Sequence, residues 1–147
     1  MAITDFDFGQ IFNEERIGLL TTYNKQSGKI HQNAVSWIKG ASAHKLRIAV
    51  STKSDIVTNI EEHPQVTLSF FYDQKVIAFQ SEAKLLTKQM EAVPFPLTLI
   101  EVETEQLQDI MFYGAAISQE PAYVKTYNLE AAKKLDQQVY ASMALSY

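Results

Sequence analysis

A short hydroxyl-rich segment is the first place where this sequence could do chemistry. Ser51, Thr52, Lys53 and Ser54 run directly into Asp55–His63, which has the spacing of a short helix. The unpaired N–H groups and the dipole at the start of a helix favour an anion, so this segment could hold a phosphate. A plainer interpretation is that Ser54 only caps the helix and Lys53 is solvated, and on spacing alone that interpretation is preferred.

The second segment of interest, Asn33–Ile38, carries the only tryptophan of the chain, Trp37. An aromatic ring close to Asn33 and Ser36 could form one wall for a planar ligand and offer hydrogen bonds to its edge. From composition, a tryptophan packed in the core is an equally good interpretation.

The usual catalytic motifs are absent. The sequence contains no HExxH, no GxSxG, no phosphate-binding loop signature and no GxGxxG among its five glycines. His31, His44 and His63 are far apart and lack the spacing of metal ligands, and the carboxylates are scattered. No catalytic acid or base and no metal ligand can be nominated from the sequence.

Composition narrows the possible partners. The net charge is −4, the opposite of what binding to a nucleic acid backbone requires, so no nucleic acid partner is expected. The absence of cysteine excludes disulfides, thiol nucleophiles and cysteine-ligated metals. No apolar run reaches the ~20 residues of a membrane helix, and the first ten residues do not resemble a secretory signal. We therefore expect a cytoplasmic protein without a membrane partner.

The elements that would position the two segments are mostly strands. Alternation and turn residues predict seven: Ile17–Tyr23, Lys29–Ile38, Leu46–Ser51, Val66–Tyr72, Val76–Leu86, Leu97–Glu105 and Leu107–Tyr113. Turns are predicted at Gly40–His44 and Asp73-Gln74. Helices are predicted after Thr4 as a cap, over Asp55–His63, and over Leu129–Leu145 with Asn128 as its cap. Short turns between many strands predict a mainly β, antiparallel barrel or sandwich in one domain, 1–147, and the barrel is preferred because closure removes exposed sheet edges.

Several stretches, taken in order, carry a family resemblance. The first stretch, similar to an opening hairpin, is RIGLLTTYNKQSGKIHQNAVSWI. The second is similar to a strand followed by a Ser/Thr-rich turn and a helix, and it reads KLRIAVSTKSDIVTNIEEHPQVTLSFF. That helix typically contains an Asn-Leu or Asn-Ile pair and is closed by an Asn-Pro or His-Pro pair. Here the two pairs are Asn59-Ile60 and His63-Pro64. VIAFQSEAKLL and LTLIEVETEQL are similar to two later strands. From about Ile11 to Thr104 the chain resembles the pyridoxamine 5′-phosphate oxidase-like family, whose members are split β-barrels that bind flavin mononucleotide (FMN).

The resemblance implies a homodimer that binds FMN between its subunits and acts on a small-molecule substrate. In the family, the strand matching Asn33–Trp37 runs along the isoalloxazine ring, largely through backbone groups, and the Ser/Thr-rich turn receives the phosphate. The partner subunit's strand matching Phe79–Ser81 helps to complete the pocket. The cofactor-binding residues implied are Asn33, Val35, Ser36, Trp37, Ser51, Thr52, Lys53, Ser54 and Gln80.

Two positions depart from the family pattern. Ile56 stands where members usually carry a basic residue, although Lys53 could supply that charge, and Ser81 replaces a glycine. The C-terminal substrate contacts of true pyridoxamine phosphate oxidases are not visible, so that reaction is not expected. The resemblance thus implies an FMN-dependent oxidoreductase with an unidentified substrate. The alternatives are a non-catalytic dimeric flavin- or ligand-binding carrier or sensor, and a barrel that holds a deazaflavin or haem.

Overall fold

The computed structural model describes residues 2–147, and its main elements are ten strands and three helices. The strands are β1 Ala2–Ile3, β2 Gly18–Asn24, β3 Lys29–Val35, β4 Ile38–Ser42, β5 Lys45–Ser51, β6 Gln65–Tyr72, β7 Lys75–Glu82, β8 Lys84–Thr87, β9 Leu97–Glu103 and β10 Leu107–Asp109. The helices are α1 Phe8–Ile11, α2 Asp55–Glu62 and α3 Leu129–Met143.

The strands form two antiparallel sheets. The first has the order β1-β10-β7-β6-β2-β3 and the second the order β4-β5-β9-β8. One buried cluster joins them, with Leu20 and Leu68 from the first sheet packed with Leu46, Ile48 and Ile100 from the second. Each of these side chains is fully buried, as period-2 alternation predicts for one face of a strand. The predicted mainly β, antiparallel architecture is confirmed.

Helix α2 is tied to the β2–β3 hairpin by a buried amide. Ile56, Val57 and Ile60 form the apolar face of α2 and lie in the core. On the same helix, Asn59 Nδ2 donates to Thr22 Oγ1 at 2.9 Å and is 3.1 Å from His31 Nδ1. Asn59 is only 2% exposed, so these hydrogen bonds offset the cost of burying its amide. They also fix α2, and the turn before it, relative to the hairpin.

The N-terminal helix differs from its prediction. Asp7, rather than Thr4, caps α1, accepting a hydrogen bond from Gly9 N–H at 2.8 Å. Ala2–Ile3 is a strand, because Ile3 pairs with Leu107 of β10. The predicted cap at Thr4 was wrong, since sheet pairing outweighs the local preference for a longer helix.

Several strand boundaries also differ. The strand predicted to reach Ile38 ends at Val35, and β4 covers much of the turn predicted over Gly40–His44. The strand predicted over Val76–Leu86 breaks at Ala83, whose N–H donates to the Pro64 carbonyl as the chain passes between the sheets. Strands β9 and β10 and helix α3 end earlier than predicted, at Glu103, Asp109 and Met143.

Two local predictions are confirmed. Asp73 and Gln74 both have positive φ, 53° and 62°, as a two-residue hairpin turn requires. Asn128 caps α3, its Oδ1 accepting from Ala131 N–H at 3.0 Å. Among residues 2–147, no helix is both long enough and apolar enough to cross a membrane.

Candidate functional site

A surface groove brings together the two segments that the sequence singled out. Its volume is about 410 Å³, and its walls come from the end of β3, the following loop, the end of β5, the start of α2 and the C-terminal part of the chain. Six of the nine predicted cofactor-binding residues line it, namely Asn33, Val35, Ser36, Trp37, Ser51 and Ser54. The other lining residues are Ala34, Ala49, Val50, Ile56, Lys125, Tyr127 and Leu135.

Trp37 is held rigidly at the edge of this groove. Its indole Nε1 donates to Asp136 Oδ1 of α3 at 2.8 Å, and its carbonyl accepts from Ala49 N–H at 3.0 Å. The preceding carbonyl, that of Ser36, accepts from the Tyr140 hydroxyl at 3.1 Å. Trp37 therefore has its polar atom satisfied and its ring fixed between β5 and α3.

Of the two interpretations of Trp37, packing in the core is observed, and the wall for a planar ligand stays a prediction. The ring packs against a second apolar cluster that includes Ala49, Leu99, Val139 and Met143, and it also lines the groove. Trp37 is half-buried, and its packing against this cluster helps to hold α3 on the second sheet.

The hydroxyl-rich turn before α2 has a different hydrogen-bond pattern from a simple cap. Ser54 is at the N-cap position, but its Oγ donates to the Ser51 carbonyl at 2.7 Å and makes no capping bond. The interpretation of Ser54 as a side-chain cap was therefore wrong. Among residues 2–147, no side chain caps the first N–H groups of α2, and the start of the helix, at Ser54 and Ile56, lines the groove.

Three predicted residues lie outside the groove. Thr52 Oγ1 donates to the Lys88 carbonyl at 2.9 Å and accepts from Thr98 Oγ1 at 3.0 Å, so its hydroxyl ties β5 to β9. Lys53 is exposed on the turn, and Gln80 is exposed on β7. A role for Gln80 would require a second copy of the chain, as the resemblance implies, and it stays a prediction.

Ser81, the serine in place of the family's glycine, also lies away from the groove. It is buried, and its Oγ accepts from Glu103 N–H at 3.1 Å. The hydroxyl therefore joins β7 to β9 within the barrel and does not narrow the groove of its own subunit.

The sequence did not predict the contribution of the C-terminal part. Lys125, Tyr127 and Leu135 form one wall of the groove. Lys125 Nζ is 2.9 Å from Glu15 Oε1 and 3.3 Å from Asp136 Oδ2. The contact with Glu15 joins residues 110 positions apart, and the segment between β10 and α3 has no periodic pattern that could have indicated either contact.

The carboxylates of Glu15 and Asp136 raise the pKa values of two neighbouring side chains at this wall. Burial alone lowers the pKa of Lys125, but its hydrogen bond to Glu15 and the charges of Glu15 and Asp136 outweigh burial and raise the pKa above its ordinary value. Burial, assisted by the same two carboxylates, raises the pKa of Tyr140. At neutral pH Lys125 is therefore cationic and Tyr140 is a neutral hydrogen-bond donor.

Comparisons with known proteins give structural matches. No protein-family model matches the sequence, and no curated protein matches it. A putative pyridoxamine 5′-phosphate oxidase from Listeria innocua has 16% identity and a TM-score of 0.55, covering 69% of this chain and 93% of its own. An F420 reductase has 15% identity and a TM-score of 0.57, covering 69% and 95%. HutZ, the heme storage protein of Vibrio cholerae, has 15% identity and a TM-score of 0.54, covering 68% and 89%.

The chain has the split β-barrel fold. Its structural neighbours are proteins of the pyridoxamine 5′-phosphate oxidase-like type, as the sequence resemblance predicted. At these identities the likeness shows the fold alone. Because the names of the neighbours point to different molecules, the ligand of this chain has to be argued from its own groove.

Proposed function

We propose that the groove binds FMN and that the protein is a flavoprotein, an oxidoreductase acting on a small molecule. The observation that carries this proposal is the convergence of the strand Asn33–Trp37 with the turn containing Ser51 and Ser54. These segments were selected separately, for a planar ring and for a phosphate, and they line one groove.

The residues present fit both ends of FMN. The groove, at about 410 Å³, has the size of a site for a cofactor or drug-sized ligand. Strand β3 is at the edge of its sheet, pairing only with β2, so it presents backbone N–H and C=O groups to a ring laid along it. The uncapped start of α2 provides N–H donors for a phosphate.

Bound FMN would supply the transfer of electrons or hydride, and the protein would supply placement. Trp37 would restrict the ring position, since its own orientation is fixed by Asp136 and by the loop contact of Tyr140. Leu135 and Tyr127 would cover apolar surface of the ligand and exclude water from that side. Lys125 and Tyr127 are the titratable side chains in the lining, so no carboxylate or imidazole is assigned to proton transfer.

We also propose that the protein is a homodimer. In the isolated chain, strand β3 leaves a sheet edge unpaired, with Ile30 74% exposed on it. Phe112 and Tyr113, beyond β10, are 71% and 102% exposed. Exposed aromatic side chains and open strand edges are typical of surfaces that associate. Sedimentation at micromolar concentration should give twice the chain mass, and a monomer would contradict this proposal.

The lining of the groove gives one specific reason to consider a carrier or sensor instead. Its residues include no Asp, Glu or His, and Ile56 occupies the family's basic position. A protein of this second kind would bind FMN tightly without oxidising NADH or NADPH. Steady-state assays with both reductants and bound FMN separate it from an oxidoreductase.

The melting temperature and the visible spectrum test the cofactor. A ligand at one hundred times its Kd stabilises the folded state by about 2.7 kcal/mol, so FMN should raise the melting temperature by roughly 5–10 °C. The purified or reconstituted protein should show a flavin spectrum, whereas a haem or deazaflavin spectrum would select the other cofactors. An unchanged melting temperature with no bound flavin would contradict the proposal.

A further inference from the structure

A series of hydrogen bonds joins α2 to the β2–β3 hairpin and ends at the ring of His31. The backbone N–H of Ser27 donates to Asn24 Oδ1 at 2.8 Å, and Asn24 Nδ2 donates to Asn59 Oδ1 at 2.9 Å. Asn59 Nδ2 is in turn 2.9 Å from Thr22 Oγ1 and 3.1 Å from His31 Nδ1. The amide chain, as we call this series, therefore connects the hairpin turn, α2 and β3.

The direction of the amide chain is set by its first donor. A backbone N–H can only donate, so Ser27 N–H holds the Asn24 oxygen towards itself and leaves the Asn24 NH2 group for Asn59. Asn59 must then present its oxygen to Asn24 and its NH2 group to His31. His31 Nδ1 is consequently an acceptor, which requires a neutral ring with its proton on Nε2.

A protonated His31 does not fit the amide chain. It carries N–H groups on both nitrogens and offers no acceptor to Asn59. Turning the Asn59 amide would present its oxygen to the ring, but its NH2 group would then face the NH2 group of Asn24. Asn24 cannot turn in response without losing Ser27 N–H. Asn59 is 2% exposed, so solvent does not readily supply the missing partner. Every arrangement with protonated His31 leaves one donor of the chain without an acceptor.

The titratable side chains on the elements around His31 carry both signs. They are Tyr23 of β2, Lys25 of the hairpin turn, Lys29 of β3, Asp55, Glu61 and Glu62 of α2, and His63 at the end of α2. Among residues 2–147, none of them forms an ion pair with His31, and Glu61 pairs instead with Lys88. The three carboxylates are exposed, where water and salt screen their charges, so the hydrogen bond from Asn59 outweighs them.

His63 is a second histidine at this contact. Its ring packs edge-on against Tyr23 with the centroids 4.9 Å apart. Within residues 2–147 its buried Nδ1 has no hydrogen-bond partner. The experiment therefore has to separate the two rings.

We propose that His31 is a positioning residue whose protonation weakens the docking of α2 on the hairpin and so loosens the groove. The groove has walls on both sides of this contact, with Asn33 and Val35 on β3 and with Ser54 and Ile56 at the start of α2. Histidine changes charge between about pH 5 and pH 8. Because the unfolded chain takes up the proton more readily than the docked state, stability falls as pH decreases through this range. The inference goes beyond the proposed function, since the docking of α2 does not depend on which ligand the groove takes.

Melting temperatures between about pH 5 and pH 8 test the inference. His31→Asn places an amide oxygen at the δ position, where histidine carries Nδ1, and does not titrate. On going from pH 8 to pH 5 the wild type should lose roughly 3–6 °C more than His31→Asn. His44→Asn is the matched control: its ring lies 3.3 Å from Glu105 in the turn before β5, so this variant should decline at least as much as the wild type. In wild-type ¹⁵N spectra at pH 8 the His31 ring should be the Nε2–H tautomer.

Parallel declines of His31→Asn and the wild type would overturn the inference, as would an Nδ1–H tautomer of His31. A decline that persists in His31→Asn and disappears in His63→Asn would assign the effect to His63 and overturn it as well. If His31→Asn does not fold, the tautomer in the wild type decides.

The link to the groove has its own test in FMN titrations. Between pH 7.5 and pH 5.5 the FMN affinity of the wild type should fall about threefold or more beyond that of His31→Asn, in which the phosphate of FMN titrates equally. Equal decreases would overturn the link to the groove. Wild-type protein that binds no FMN at pH 7.5 would overturn the proposed function, and the melting temperatures would still decide the role of His31.

Discussion

Trp37 connects the groove to the C-terminal helix at the level of a single residue. Its ring lines the groove, and its N–H donates to Asp136, which also contacts Lys125. Tryptophan suits this place because it combines a large apolar surface with one polar atom that needs a partner. The position of the ring therefore depends on a residue 99 positions further along the chain.

Asp136→Ala should destabilise the protein. The change leaves the half-buried Trp37 N–H without its partner and removes one of the two carboxylates of Lys125. We expect a loss of about 1–3 kcal/mol in the free energy of unfolding. Urea unfolding followed by Trp37 fluorescence measures it. Gln137→Ala, the exposed neighbour on α3, is the control, and equal unfolding curves for the two variants would contradict this account of Trp37.

At the scale of elements, α1 packs against β4 through a contact that only glycine allows. A Cβ on Gly40 would lie 2.6 Å from Gly9 N and 2.7 Å from Gly9 Cα, both backbone atoms. Backbone cannot move aside as a flexible side chain can, so the close approach fixes the identity of this residue. The contact places α1 across the start of the second sheet.

Gly40→Ala should therefore separate α1 from β4. Forcing a methyl group into a filled space typically costs about 1–3 kcal/mol, and we expect a loss in that range. Thermal unfolding checks it, with Ala41→Ser on the exposed neighbouring position as control. A melting temperature for Gly40→Ala equal to that of the control would show that the two backbones are not in contact.

The wall formed by α3 and the segment before it should loosen at alkaline pH. Burial, with Glu15 and Asp136, raises the pKa of Tyr140, and the two carboxylates raise that of Lys125. A group with a higher pKa in the folded state stabilises the fold below its unfolded pKa and loses that contribution as pH rises through the folded value. Stability from these groups should therefore be constant near neutral pH and decline above about pH 10.

Free energies of unfolding between pH 7 and pH 11 test this, with Tyr140→Phe as the comparison. The variant loses a hydrogen bond to Ser36, so it should be less stable than the wild type at pH 7. It should also lose less stability than the wild type on going to pH 11, because one titrating group is gone. Parallel declines for the two proteins would mean that Tyr140 does not titrate differently in the folded state.

At the scale of the whole molecule, the barrel could be predicted because its signals are local. Alternation in Leu97–Glu103, the turn at Asp73-Gln74 and the apolar spacing of α2 each depend on neighbouring residues. Boundaries were predicted less well where distant partners decide them, as at Ile3, which pairs with Leu107, and at Ala83, which bonds to Pro64.

The residues of the candidate site could likewise be predicted where the signal is local, and not where distant contacts decide the position. Asn33–Trp37 and the turn with Ser51 and Ser54 were accessible from sequence, since each is continuous and has a recognisable composition. Lys125 was not, because only the path of the segment after β10 brings it to the groove and to Glu15, 110 positions earlier. The orientation of Thr52 was equally hidden, since the hydroxyl of Thr98 on β9 decides it.

The fluorescence of Trp37 during a titration with FMN tests the central claim most directly. Trp37 is the only tryptophan and it lines this groove, so its emission reports a flavin bound there. Flavins absorb light in the range of tryptophan emission, and bound FMN should quench Trp37 in a saturable way, with free N-acetyltryptophanamide as the control for absorbed light. A decrease no larger than that of the control at every FMN concentration would contradict a flavin site formed by Asn33–Trp37 and Ser51–Ser54.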